Sequence, residues 1–443
     1  MVSVNVVKLA DLSPAGRAAL LERSTADLSV FYDKVRPIIA AVQAEGDAAV
    51  ARYGAELDGA VGLTPDSLQA TPAEFDGAFA TLDPALIDTI RYAIGNIRSF
   101  HQEQLPDPMF LKEIRPGAFA GDRFTPIRSA ALYVPRGKGS FPSVTMMTSV
   151  PAVLAGVKDL AIFTPPTAVG GVDAATLVAA RLAGVETVYK VGGAQAVAAA
   201  AFGTETIGKA IKIMGPGSPY VVAAKRLLSD VIDPGLPAGP SECIIFDDGT
   251  VHGGLAALDL LIEAEHGPDS SVWLVTTSDH VVAQALEALP LHLAEMTDQR
   301  QAFARTVLSG RHGGIILAPS LAGAYTVIND YAPEHLQILS THPFEHLGEL
   351  TEAAEILLGP HTPVSVANFC LGPNNVLPTA GGARSHGPLS VMDFMKRSSV
   401  GYVTAKAWPE LSAAARKLAE YEGFSSHANA VGPMRTRYLE QGE

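Results

Sequence analysis

From residue 130 onward the chain alternates short, nearly uninterrupted apolar runs with alanine-rich stretches that carry apolar side chains at helical spacing. Runs of the first kind suit strands buried on both faces, and stretches of the second suit helices covering those faces, so the alternation predicts parallel sheets wrapped by helices. One set of strands falls at 131–134, 160–164, 187–191 and 211–214, with helices at 174–182 and 195–201 between them. A second set follows at 243–246, 272–276, 314–318 and 356–358. The economical reading is an α/β chain with two Rossmann-like parallel-sheet domains and small helical segments at its two ends. The first hundred residues read mainly as helix: 38–51 is rich in alanine and valine, and 86–101 carries apolar residues at helical spacing. Pro106, Pro108 and Pro116 then mark a change of texture. Near the C-terminus Leu411, Ala415, Leu418 and Glu422 share a helical face and Gly423 supplies a stop. An acid on an apolar face needs a partner.

Composition narrows the class of function. At 443 residues, 48% of them apolar, the chain is long enough for two or three domains with large cores. Its formal charge of −14 comes from dispersed acids, which repel the phosphates of nucleic acids and anionic membranes, so neither is an expected partner. No basic segment followed by a long apolar one opens the chain, and no stretch reaches the roughly 18 apolar residues of a membrane span, so a cytoplasmic metabolic enzyme is expected. Cys243 and Cys370 are too few for a disulfide framework or a thiolate zinc site, and Cys243, opening an apolar run, reads as a core thiol.

Candidate chemistry concentrates in Asn329-Asp330-Tyr331-Ala332-Pro333-Glu334-His335-Leu336, where a carboxylate and an imidazole stand side by side. Pro333 suits the first turn of a helix, and a helix N-terminus favours carboxylate over imidazolium. Glu334 and His335 are therefore expected in their basic forms near neutral pH, ready to take protons. Taken alone, the octapeptide fits a solvated surface turn equally well. No G-x-G-x-x-G is present. Gly192-Gly193 and Gly215-Pro216-Gly217-Ser218 each join a strand to a helix, where backbone N–H groups can face a pyrophosphate or simply make a turn. Glu263 and His266, spaced i and i+3 on an expected helix, can face one ion or pair with each other on the surface.

The octapeptide is similar to the active-site segment of the histidinol dehydrogenases, and further stretches resemble that family in the same order. They are Leu132-Tyr133-Val134-Pro135, Val191-Gly192-Gly193-Ala194-Gln195-Ala196, Met214-Gly215-Pro216-Gly217, Ala238-Gly239-Pro240-Ser241-Glu242, Ala264-Glu265-His266-Gly267-Pro268-Asp269-Ser270, Val376-Leu377-Pro378-Thr379 and Leu389-Ser390-Val391. The resemblance covers nearly the whole chain. It implies NAD-dependent, zinc-assisted oxidation of L-histidinol through L-histidinal to L-histidine, the last steps of histidine biosynthesis, in a homodimer with shared active sites. The layout that goes with it is an N-terminal helical segment at 1–28, a discontinuous α/β domain at 29–129 and 241–389 carrying the active site, an NAD-binding α/β domain at 130–240, and a helical tail at 390–443.

Carried over residue by residue, the resemblance implies Glu334 and His335 as the catalytic pair and NAD contacts at Tyr133, Gln195 and Ser218, the last where the family usually has Asn. Arg136 stands where relatives usually have Gly: a positive φ would strain it, and otherwise its guanidinium could meet a cofactor phosphate. The zinc ligands fall on Glu263, His266, Asn368 and His427, where the family has Gln, His, Asp and His. An amide and a carboxylate have changed in opposite senses, so the charge offered to the ion is unchanged and retained zinc binding is the expectation; a decayed site or another ion is the alternative. Substrate contacts fall on Ser241, His335, Glu422 and His427 besides the metal ligands, and in relatives Glu422 and His427 come from the partner subunit. The implied substrate is a small amino alcohol. Asn375 stands where the family usually has His, which leaves open another small polar alcohol, such as a sulfonated propanediol. A non-catalytic binding homologue is the remaining alternative, and intact Glu334 and His335 speak against it.

Overall fold

The structure, a computed structural model, describes residues 3–23, 28–136, 139–237 and 239–440; Ala238 of the matched stretches lies outside the described residues. The chain divides into two compact units, one of Met1–Leu105 with Ile127–Phe394 and the other of Pro106–Pro126 with Met395–Glu443. In chain order the strands are β1 (Val6–Lys8), β2 (Met109–Arg115), β3 (Ala118–Pro126), β4 (Ser129–Tyr133), β5 (Asp159–Thr164), β6 (Val188–Lys190), β7 (Lys212–Met214), β8 (Glu242–Asp247), β9 (Ser271–Thr276), β10 (Gly313–Leu317), β11 (His335–Leu339), β12 (Glu355–Leu358) and β13 (Met395–Val403).

The larger unit holds two parallel sheets. One has the order β6-β5-β4-β7, which counted from β4 is 3-2-1-4, the order of a doubly wound mononucleotide-binding half. The other has the order β1-β10-β9-β8-β11-β12, the same 3-2-1-4-5 progression counted from β8 with β1 added beside β10. In each sheet, whose strands are all parallel, the order of strand addition reverses once, between β4 and β7 in the first and between β8 and β11 in the second. Those switch points are where such folds open crevices.

The strand runs are apolar throughout because both faces are covered. Along β8, Cys243 and Ile245 enter the core beneath the helices Gly253–Ala264, Asp279–Ala294 and Asp298–Ser309, whereas Ile244 and Phe246 enter the opposite core with the helix Leu321–Tyr331. Each fully buried Ile or Phe contributes about 1.5–3 kcal/mol, so slipping the register by one residue is strongly opposed. Against the smaller sheet, the helix Gly193–Phe202 is buried from Ala194 to Ala201. Its alanines let the helix Ser29–Glu45 approach closely.

Every expected strand forms, with boundaries shifted by a residue or two. The stretch 38–51 is interrupted instead of continuous: Gly46 takes φ 56° between the helices Ser29–Glu45 and Asp47–Leu57, a conformation only glycine adopts without strain. The structure adds β1 and β11, which the apolar pattern did not mark. No helix among the described residues is long and apolar enough to cross a membrane.

The smaller unit is built on an antiparallel sheet in the order β13-β3-β2, which is absent from the sequence reading because its strands lack an apolar run. The helices Trp408–Tyr421, Ser425–Ala430 and Pro433–Glu440 follow. Gly423, at φ 79°, ends the first of them as expected. The burial is not as expected: Ser412 and Ala419 are buried, whereas Ala415, Leu418 and Glu422 are exposed.

Candidate active site

Three adjacent strands of the larger sheet begin with ionisable residues. Glu242 opens β8, His335 opens β11 and Glu355 opens β12, and the register sets His335 beside both Cys243 and Glu355. Glu334 immediately precedes β11. Its Oε2 accepts from the Glu242 backbone N–H at 2.9 Å, and its carbonyl accepts from the Glu355 N–H at 3.0 Å. Glu334 Oε1 lies 3.9 Å from His335 Nε2, and His335 Nδ1 donates to Glu355 Oε2 at 2.7 Å. All four side chains are buried. Behind them the Glu242 carboxylate accepts from the Ala380 N–H at 3.0 Å and meets Arg23 at 3.4 Å, whose guanidinium stacks 3.4 Å above the Tyr331 ring.

The expected helix start at Pro333 is not there. The helix Leu321–Tyr331 ends just before it, Ala332 takes the left-handed φ of 51°, and the chain then turns directly into β11. Ala332 and Ala380 are the non-glycine residues with positive φ among the described residues, and both flank this site. Such conformations cost about 1–3 kcal/mol and persist where surrounding structure enforces them.

The electrostatic expectation reverses with the geometry. Burial is the largest influence on Glu334 and, with Glu263 and Glu242 nearby, outweighs His335 and raises its pKa to about 8. Burial lowers His335, but the hydrogen bond to Glu355 and the charges of Glu334 and Glu263 override it and raise its pKa to about 10. Both groups therefore hold a proton near neutral pH. They form a strong base pair that is freed only on the alkaline side.

The helix after β8 runs back toward the starts of the strands, which delivers its last turn to the same edge. Glu263 lies in that turn, and His266 follows just past the helix end with its Nδ1 2.9 Å from Glu263 Oε2 and 3.0 Å from Ser241 Oγ. Asn368 lies in the first part of the π-helical turn Ala367–Leu371, and its Nδ2 donates to Glu263 Oε1 at 3.0 Å. Burial acts to raise Glu263, but His266, His335 and the Asn368 amide outweigh it and hold the carboxyl down at about 2. Among the described residues, Asn368 Oδ1 is a buried acceptor without a hydrogen bond. No cluster of three or more His, Cys, Asp or Glu stands ready for a metal among those residues, because the third donor here is an amide. The exchange of carboxylate and amide relative to the family pattern thus spans one hydrogen-bonded pair. An ionised carboxylate, an imidazole and an unpaired amide oxygen fit a zinc-like cation.

At the smaller sheet the polar residues gather at the carboxyl ends of the strands. Tyr133 ends β4, and its buried hydroxyl accepts from the Gly193 N–H at 3.1 Å. Gln195, in the first turn of the following helix, donates to Asp58 Oδ2 at 3.2 Å, while its own buried Oε1 has no partner among the described residues. Burial, the dominant influence, raises Asp58 to about 6 against the opposing charge of Arg136. A Cβ at Gly215, where φ is +116°, would lie 2.0 Å from the Tyr133 carbonyl oxygen, so β7 can leave the switch point only through glycine. Ser218 caps the next helix with its side chain exposed and uncommitted. This glycine-lined switch point, with one orphaned amide oxygen, fits a dinucleotide. Arg136 is not in the left-handed region, so the strain considered for it is absent; its guanidinium donates to the Pro166 carbonyl at 3.0 Å.

Glu422 and His427 belong to the smaller unit, where both are exposed and Phe424 and His427 place their ring centroids 5.4 Å apart. Asn375, in the larger unit, donates to the Asn368 carbonyl at 2.8 Å and leaves its own buried Oδ1 unpaired among the described residues. Glu355 and Asp58 were not singled out by sequence. The available signal for Glu355 was an acid directly opening the apolar run Glu355-Ile356-Leu357-Leu358, an unusual start for a buried strand.

Two doubly wound parallel sheets with a buried acid–base pair at the amino-end edge of the larger one make this an α/β fold with the makings of an enzyme. The histidinol dehydrogenase family model matches residues 21–435. A protein named histidinol dehydrogenase homolog from Cereibacter sphaeroides is 71% identical over 441 residues, covering 100% of both chains. A histidinol dehydrogenase from Synechocystis is 46% identical, covering 96% of this chain and 98% of its own. The crystal structure of histidinol dehydrogenase from Elizabethkingia anophelis is 31% identical with a TM-score of 0.92, covering 99% of each chain. The chain belongs to the histidinol dehydrogenase family, oxidoreductases that act on alcohol and aldehyde groups.

Proposed function

We propose that this enzyme carries a small polar alcohol through its aldehyde to the acid by two successive hydride transfers to NAD, with zinc bound beside the acid–base pair and L-histidinol as the substrate. The observation that carries this reading is the clustering of Glu334, His335, Glu263, His266 and Asn368 at one edge of the larger sheet. When bound, NAD would supply the hydride acceptor, and Glu263, His266, Asn368 and His427 would hold a zinc ion that would help orient an amino alcohol. The chain's own groups do the rest. His335 takes the alcohol proton at Nε2 as the carbinol hydride departs, and Glu334 then takes a proton from the water that adds to the aldehyde. Tyr133, Gln195 and Ser218 hold the dinucleotide. Ser241, Glu422 and His427 contact substrate, the last two from the second subunit of a cytoplasmic homodimer.

The test is NADH formation from L-histidinol by the purified protein, before and after chelation and zinc restoration. Two NADH per histidinol, lost on chelation and regained with zinc, supports the reading. NAD binding without turnover of histidinol removes that substrate.

A second reading has its own observation. The amide of Asn375, with an unpaired buried oxygen, replaces an imidazole beside Asn368, and the relatives at 71% and 65% identity carry the name homolog, whereas the one at 46% is named histidinol dehydrogenase. A different small polar alcohol, such as a sulfonated propanediol, suits an amide there. Parallel assays of both alcohols separate the two readings.

A further inference from the structure

Glu355 has no role in the chemistry derived so far, yet it occupies a privileged position. It opens β12 directly beside His335 in the parallel register, its side chain is 5% exposed, and its Oε2 takes the Nδ1–H of His335 at 2.7 Å. Backbone hydrogen bonds lock the two strands together here, since the Glu355 N–H donates to the Glu334 carbonyl at 3.0 Å and Ala354 N–H to the Pro333 carbonyl at 3.1 Å. The carboxylate is therefore presented to the ring by a rigid sheet instead of a loop. The nitrogen it leaves free, Nε2, is the one 3.9 Å from Glu334 Oε1.

We propose that Glu355 is the positioning residue of the His335 base: it fixes the imidazole as the Nδ1–H tautomer, aims the Nε2 lone pair at the reacting alcohol, and stabilises the imidazolium that forms. This rests on the reading that His335 takes the alcohol proton. The step balances: the alcohol O–H proton passes to Nε2, the carbinol C–H leaves as hydride to the oxidised nicotinamide dinucleotide, and the C=O bond of the aldehyde forms. Glu355 keeps its hydrogen bond to Nδ1–H and takes no proton. A carboxylate on the far nitrogen raises the basicity of an imidazole and removes the rotational freedom that would misaim it.

The other groups facing His335 are Glu334 ahead of it on its own chain, Cys243 in β8, Glu263 from the helix Gly253–Ala264, and His266 just beyond that helix. The hydrogen bond from His335 to Glu355 is the strongest of the influences that raise its pKa. Loss of the Glu355 charge thus has a signature that simple loosening of the strand lacks.

The test compares the wild type with Glu355→Gln, which keeps the shape, and Glu355→Asp, which keeps the charge. For each, NADH formation from the turned-over alcohol is followed from pH 6 to 10, the His335 ring is titrated by NMR, and NAD binding is measured by fluorescence. Glu355→Gln is expected to lower the alkaline plateau of kcat by roughly 10- to 100-fold, part of the ~10²–10⁴ that a general base supplies. It should also move both the rising limb and the His335 titration at least one pH unit lower, with NAD binding unchanged; Glu355→Asp should recover part of both. A Glu355→Gln enzyme whose rate falls evenly at every pH, or whose His335 titrates as in the wild type, overturns the proposal. If instead His335→Asn retains near-full activity, the reading of His335 as base fails first, and the ring titration still reports on Glu355 by itself. Should Glu355→Gln not fold, Glu355→Asp decides: a partial downward shift of the His335 titration together with a partial loss of kcat and unchanged NAD binding is the expected result, and a shifted titration with full activity, or activity lost with NAD binding and the titration intact, overturns the proposal.

Discussion

The two parallel sheets of the larger unit share a strand progression and use opposite ends of it. At the smaller sheet the polar groups stand at the carboxyl ends of the strands, where glycine turns and helix starts present N–H groups and Tyr133 and Gln195 add neutral polar atoms. At the larger sheet they stand at the amino ends, where Glu242, His335 and Glu355 open the strands, Glu334 just precedes β11 and the end of a helix brings Glu263. The lesson is electrostatic. Helix N-termini suit an anionic ligand such as a pyrophosphate, whereas helix C-terminal ends and carboxylates suit cations and protons in motion. On the proposed reading, one fold thus serves binding at one end and proton transfer at the other.

The contrast breaks most sharply if His335 is removed. His335→Asn is expected to reduce kcat by about 10²–10⁴ while leaving NAD binding, read by fluorescence titration, within twofold; weaker NAD binding would mean the two ends are not separate in function. Glu334→Gln should cost about 10² in the second oxidation alone, so NADH per substrate falls from two toward one as aldehyde accumulates. At the metal cluster, Asn368→Ala should weaken zinc retention by about 10–100-fold, measured by metal content after dialysis, without changing NAD affinity.

The pH profile sharpens the comparison. A raised pKa means the proton is held to higher pH, so the basic forms of Glu334, at about 8, and His335, at about 10, appear only as pH rises through those values. Accordingly kcat/KM should climb from neutral pH into the alkaline range, while NAD affinity should stay level there. A rate that falls between pH 7 and 9 would contradict the assignment. The smallest effect is expected at the other sheet: Tyr133→Phe leaves the Gly193 N–H without its partner, costing about 0.5–1.5 kcal/mol, which should show as a few-fold rise in KM for NAD with kcat preserved.

Strands buried on both faces were legible because their apolar runs are long and bounded by turns, and the matching glycine turns lay where the switch point needs them. The octapeptide singled out Glu334 and His335, which the structure buries side by side, but misled about its local form. Pro333 signals a helix start by local preference, and what prevails is the pairing of β11 with β8 and β12, contacts between residues 20 and 92 positions apart. The antiparallel sheet of the smaller unit was missed for a related reason: β2 and β13 are largely exposed and β3 is mostly half-buried, so no long apolar run marks them.

By itself the sequence determined the fold class and the family, and it singled out Glu334, His335, Glu263, His266 and Asn368, which the fold gathers at one edge of the larger sheet, because these depend on local pattern and on motifs in fixed order. Tertiary structure decided the protonation of that pair, the pairing of Glu263 with Asn368, and the placement of Glu355 behind His335. Those depend on burial and on distances between strands remote in sequence, and a carboxylate's pKa is set by what surrounds it in space, not by its neighbours along the chain.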